Sequence, residues 1–175
     1  MLTKIDLCSM ALLKIGEKPI QSFTEDTAAA ALARTLFDTV SDSLLSVHPW
    51  RFAMKKFNLT KTTDGDFLIP TEVLRVLNCD ATRYDIRGNR LMAAADAISV
   101  DTIARVGVES YPSYFVTAAA TRLAMEFCMP LTDNQNTFNT LAALYESELR
   151  AAKFVDSTMA STNDIANFSL ISARF

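Results

Sequence analysis

A single imidazole, His48, is the first place to look for chemistry in this sequence. A Ser-His-Asp or Cys-His nucleophile would have to use it, since histidine is the usual base for an attacking hydroxyl or thiol. No G-x-S-x-G elbow accompanies it, and Pro49 follows directly. The plainer reading is a histidine that hydrogen-bonds backbone at a helix-to-strand corner. Asp64-Gly-Asp66 hints at a cation loop, but the twelve-residue ligand pattern with its closing Glu is missing, which leaves a solvated turn. Cys8, Cys79 and Cys128 have no zinc spacing. With four glycines in the chain there is neither a P-loop nor a G-x-G-x-x-G. Trp50, Phe52 and Phe57 have the chemistry to stack on bases, yet no row of basic residues runs beside them, so core packing is the better account. No catalytic residue, cofactor or metal ligand is expected.

The totals point elsewhere. Of 175 residues, 50% are apolar and 21% charged, and the mean hydropathy is +0.15. A membrane span does not explain this, because no run of about 18 uncharged apolar residues exists. The most apolar window, Tyr114 to Leu131, carries Arg122 and Glu126 at its centre. Surface buried between subunits is the better explanation, since obligate interfaces resemble a core cut in half. Met1 leads straight into an amphipathic segment containing Asp6, so no leader is expected. The three widely spaced cysteines read as reduced core thiols. A net charge of −3, with no basic run longer than Lys55-Lys56, gives little support to phosphate-backbone binding.

The elements that would position these groups follow from periodicity. Thr3 and Asp6 form a capping box for a helix over 3–15, with Ile5, Cys8, Leu12 and Ile15 on one face and a stop at Gly16. Ser22 and Glu25 offer a second box, opening a helix over 24–47. Its apolar stripe is Ala29, Leu32, Leu36, Val40, Leu44 and Val47. Pro49 ends it. Trp50, Phe52 and Met54 then alternate as a strand would, and Val73 to Leu77 and Ala97 to Val106 are further strand candidates. Tyr84 to Leu91 reads as a hairpin turning at Gly88-Asn89. Residues 50–108 therefore look like one small antiparallel sheet inserted between helices. Helix returns over 112–128 and stops at Pro130. Thr132 and Gln135 cap a last helix over 133–157, striped by Phe138, Leu141, Leu144, Tyr145, Leu149, Ala152 and Val155. Beyond it the composition shifts to Ser, Thr and Asn.

Taken together, Leu13-Lys-Ile-Gly-Glu-Lys-Pro-Ile20, Leu45-Ser-Val-His-Pro-Trp-Arg-Phe-Ala53, Pro70-Thr-Glu-Val-Leu-Arg-Val-Leu77, Tyr84-Asp-Ile-Arg-Gly88, Arg122-Leu-Ala124 and Tyr145-Glu-Ser-Glu-Leu-Arg-Ala-Ala152 form an ordered series. In order and spacing it resembles the head-to-tail adaptor family of tailed phages, which includes the tail tubular protein A group. The likeness spans about residues 1–156. It implies a non-enzymatic virion protein, with usually twelve copies in a ring beneath the portal. Such a ring extends the DNA channel and carries the downstream tail or nozzle protein. Double-stranded DNA passes through without sequence-specific binding, and assembly takes place in the bacterial cytoplasm. The family's C-terminal arm docks on the portal, a role that here would fall to Phe168, Leu170, Ile171 and Phe175.

The expectations are then an α+β, mainly α chain: an antiparallel helical bundle (residues 1–157) with an inserted antiparallel sheet and an extended arm (158–175). His48, Pro49, Trp50 and Phe52 form its structural corner. A small helical ligand-binding or regulatory module of the host is the alternative, and an enzyme using His48 is a third possibility.

Overall fold

The computed structural model describes residues 1–159. Helix α1, Lys4–Lys14, begins as the spacing predicts. The Thr3 hydroxyl accepts from the Asp6 amide at 3.1 Å while the Asp6 carboxylate accepts from the Thr3 amide at 2.9 Å. Gly16 closes the helix with a φ of +82°, a left-handed conformation that glycine adopts without a steric penalty.

Helix α2, Ala28–Ser46, starts later than expected. Ser22 and Glu25 do interact, but they close a turn in which the Glu25 carboxylate accepts from the Gln21 and Ser22 amides. Thr27 is the cap instead, its hydroxyl accepting from the Ala30 amide ahead of four alanines, the strongest helix formers. The buried face is also rotated from the expected stripe. Ala30, Ala33, Phe37, Val40, Leu44 and Leu45 lie inside, Ala29, Leu32 and Leu36 are half-buried, and Val47 is exposed.

After Pro49 the strand predicted from Trp50 does not form. Arg51–Ala53 is a single 3₁₀ turn, and strand β1, Met54–Thr60, begins only after it. The three-residue period of that turn sends both Trp50 and Ala53 fully inside, so the alternation at 50, 52 and 54 is not the operative one. The remaining strands are β2 Phe67–Leu68, β3 Val73–Cys79, β4 Tyr84–Arg87, β5 Arg90–Ala93 and β6 Ala97–Ala104. They form two antiparallel three-stranded sheets, β1-β6-β3 and β2-β5-β4, where one was expected. The hairpin between β4 and β5 turns as predicted, with Gly88 at a φ of +60°.

The first sheet is packed on both faces. Strand β3 shifts register twice against β6, between Val73 and Arg75 and again between Val76 and Asn78. Each shift inserts an extra residue. Val73, Val76 and Cys79 therefore share one face despite their spacing of three, and they join Leu59, Phe67, Leu91, Ile98 and Val100 between the sheets. Leu74, Leu77 and Ile103 pack instead on the helices.

Helix α3, Ser113–Thr132, runs through Pro130 rather than stopping there. A proline this near the C-terminus sacrifices one backbone hydrogen bond within the last turn, and Asp133, at a φ of +48°, ends the helix by donating to the Met129 carbonyl. Thr132 therefore lies inside α3, donating to the Cys128 carbonyl, and Asn134 caps helix α4, Gln135–Thr158. Helix α3 is the centre of the bundle: α1, α2 and α4 all pack on it. The mainly α, α+β architecture is as the sequence implied.

Trp50→Ala should lower the unfolding free energy by about 3–5 kcal/mol, because the fully buried indole leaves a cavity. Urea denaturation followed by circular dichroism measures this. A loss under 1 kcal/mol would show that the corner does not depend on Trp50.

Candidate functional site

The residues singled out at the corner converge with others that the sequence did not reveal. The Trp50 amide donates to the His48 carbonyl at 2.8 Å, a tight turn that carries the chain around Pro49. This throws the indole back under the end of α2, where its Nε1 donates to the Leu44 carbonyl at 3.0 Å. Phe115 meets the indole edge-on with ring centres 5.0 Å apart, and Phe52 and Tyr111 complete the aromatic cluster. Trp50 is fully buried, Phe52 half-buried and Pro49 exposed.

His48 does not bond backbone with its ring, as the plainer reading had it. Its imidazole lies edge-on to Trp50 at 4.7 Å, with Nε2 3.4 Å from a carboxylate oxygen of Asp156. Asp156 is 1% exposed and is the hub of the corner. Its carboxylate accepts from the Arg51 amide at 3.2 Å and from the Tyr114 hydroxyl at 2.9 Å. One side chain from the last turn of α4 thus ties together the 3₁₀ turn, the start of α3 and the corner.

Burial sets the electrostatics of this clamp. Burial lowers the His48 pKa below its ordinary 6.5, outweighing the neighbouring Asp156 carboxylate, which raises it. At neutral pH the contact is therefore between a neutral imidazole and a carboxylate. Burial, with the hydrogen bond to Asp156, pushes the Tyr114 phenol up to about 12. The phenol therefore stays protonated and keeps donating to Asp156.

Asp156 and Tyr114 were absent from the sequence reading, although one signal existed. On α4, Tyr145, Leu149, Ala152 and Asp156 continue at spacings of four, three and four, so Asp156 occupies the next inward position. The stripe read from apolar residues alone took in Leu144 and Val155, which are exposed.

The other candidates sit apart from the corner. Asp64 and Asp66 both bind Arg90, and Asp66 also accepts from the Thr62 hydroxyl, so this turn is closed by its own side chains. Cys8, Cys79 and Cys128 are buried free thiols, and burial pushes Cys8 up to about 12. Among the described residues no group of three or more His, Cys, Asp or Glu side chains is placed to hold a metal, and no helix is long and apolar enough to cross a membrane. Phe168, Leu170, Ile171 and Phe175 lie outside the described residues.

Comparison with known proteins adds one positive finding. A family model described as tail tubular protein (Tube) matches residues 5–162. No curated protein matches the chain.

Replacing Asp156 by Ala should cost about 3 kcal/mol, because it empties a fully buried position and strips the acceptor from the part-buried Arg51 amide and Tyr114 hydroxyl. The same urea titration measures it. The His48 contribution to stability has a definite sign. The folded pKa is lowered, so the unfolded chain binds the proton more readily. Stability present above pH 6.5 is then lost as the pH falls through 6.5 towards the folded value. Denaturation at pH 7.5 and 5.5 should show a larger loss for the wild type than for His48→Gln, and an equal loss would remove His48 from the account.

Proposed function

Because this chain belongs to the tail tubular protein family and is therefore a structural phage tail protein, we propose that it is a head-to-tail adaptor. Copies of it, twelve in the favoured arrangement, form a ring beneath the portal, extend the DNA channel and carry the downstream tail or nozzle protein. Residues 1–157 serve as the adaptor domain and 158–175 as the arm, with Phe168, Leu170, Ile171 and Phe175 as apolar anchors on the portal. The place of action is the neck of the virion, after assembly in the host cytoplasm.

One observation carries the ring. Helix α4 packs on α3 along one side only, and its opposite side is uncharged over most of its length. Leu144, Ser147, Ala151 and Phe154 follow one another at spacings of three, four and three, Ala143 lies beside them, and all are exposed, Leu144 by 40% and Phe154 by 70%. Glu146 and Arg150 border this face without crossing it. A long exposed helix face of small and apolar residues, in a chain that is half apolar, suits close packing against a neighbouring subunit. A heterologous contact repeated around an axis closes into a ring, and that is the symmetry an adaptor needs. The excess of acidic over basic residues also suits a channel that must release passing DNA rather than grip it. Nothing in this role calls for bond-making chemistry.

Phe154→Asp and Leu144→Asp place a carboxylate on the exposed face without touching the core. Each should leave the melting temperature within about 2 °C of wild type, as surface changes do. Each should also cut incorporation into particles at least tenfold when supplied in place of the wild-type gene product. Particles that take up both variants at wild-type levels would contradict a ring built through this face.

A further inference from the structure

We infer that the end face of the bundle around His48 and the last turn of α4 is a docking surface for a protein presenting carboxylates around an apolar centre. The inference rests on the adaptor reading and names a second contact, distinct from the ring face on the outer side of α4.

Three elements end together here and leave apolar side chains in solvent. Val47 follows α2, Met54 opens β1, and Met159 follows α4, with exposures of 46%, 45% and 59%. Between them lies a depression lined by His48, Pro49, Arg51, Met54, Asp156 and Ser157. Isolated exposed apolar residues are ordinary on any surface, but here Met54 lines the depression, while Val47 adjoins its lining residue His48 and Met159 lies two residues past Ser157.

The charge around this patch has one sign. Arg51 is exposed, and neither it nor Lys153 has a carboxylate partner among the described residues. Arg75 donates to the Ser46 carbonyl at 2.9 Å and has no carboxylate partner among the described residues. Arg75 thus reaches the chain two residues before His48, and Lys153 stands three residues before Asp156 on α4. The one carboxylate at the depression, Asp156, is buried and occupied by the Arg51 amide and the Tyr114 hydroxyl. A chain of net charge −3 therefore presents a cationic rim here.

These features select the occupant. Two copies of this face placed against each other would oppose like cations, so it does not pair with itself. Nucleic acid is bound by many cations along the phosphate backbone and makes no use of an apolar centre, whereas a protein interface joins an apolar core to a polar rim. The complementary surface is thus an apolar patch bordered by Asp or Glu on a different protein.

The test uses the full chain assembled into particles with the complete set of virion proteins. Benzoylphenylalanine is placed at Met54 and, in a second variant, at Val47, and the particles are irradiated. An adduct with a different virion protein, reduced at least tenfold by Arg51→Glu with Lys153→Glu but unchanged by Lys61→Glu in the distant β1–β2 loop, supports the proposal. Adducts solely with DNA, with a second copy or with the chain's own residues 160–175 overturn it, as does indifference to the charge reversals. Wild-type chain missing from purified particles would instead remove the adaptor reading on which the proposal stands.

Discussion

The hydrogen bond from the Trp50 indole to the Leu44 carbonyl is the constraint on which the rest of the structure hangs. A helix ends with carbonyls short of partners, and Pro49 removes the backbone donor that would have reached Leu45. Here the Leu44 carbonyl, which also accepts from the Val47 amide at 3.4 Å, takes the indole of the residue after the proline as a further donor, and that contact buries the largest side chain of the protein. The indole cannot make this bond unless the backbone turns sharply at His48 and Pro49. That turn sets the direction in which the chain enters β1. The Phe115 ring seated against the indole then places α3 relative to α2. Helix, sheet and central helix are joined through one buried contact.

Asp156 extends the same joint to α4. A buried carboxylate is costly unless its lone pairs are filled, and the Arg51 amide and Tyr114 hydroxyl fill them. The last turn of α4 is thereby held against the corner rather than left to fray. The end of α4 is thus anchored to the most constrained part of the fold. In the ring we propose, this separates tasks. The outer side of α4 stays free for a neighbouring subunit, while its inner side and its end are held in place for contacts along the ring axis.

How much of this was legible in the sequence depended on whether the deciding contact was local. The Thr3–Asp6 cap, the Gly88 hairpin and the stop at Pro49 rest on residues a few positions apart, and all three formed as read. Thr27 was missed as the cap of α2 because Ser22 with Glu25 shows the same pattern, and only the path of the chain separates a cap from a closed turn. The rotation of the α2 stripe, the division of the strands into two sheets and the burial of Asp156 all depend on partners tens of residues away. The i,i+3 burial on β3 was hidden for a related reason, since its two register shifts exist only against β6. The sequence marked His48, Pro49, Trp50 and Phe52 as the place where helix gives way to strand, and a 3₁₀ turn stands there. The charge they enclose was not marked, because an aspartate on a stripe of apolar residues reads as an interruption rather than as its next member.

The central claim is that this tail tubular protein forms a ring whose subunits meet through the outer side of α4. Electron cryomicroscopy of the particle neck, reconstructed without imposed symmetry, tests it most directly. The account predicts a closed ring of copies beneath the portal, with Leu144, Ala151 and Phe154 of each copy covered by the next. A neck in which the chain is a single copy, or in which copies meet through the β insertion with α4 left in solvent, would contradict it.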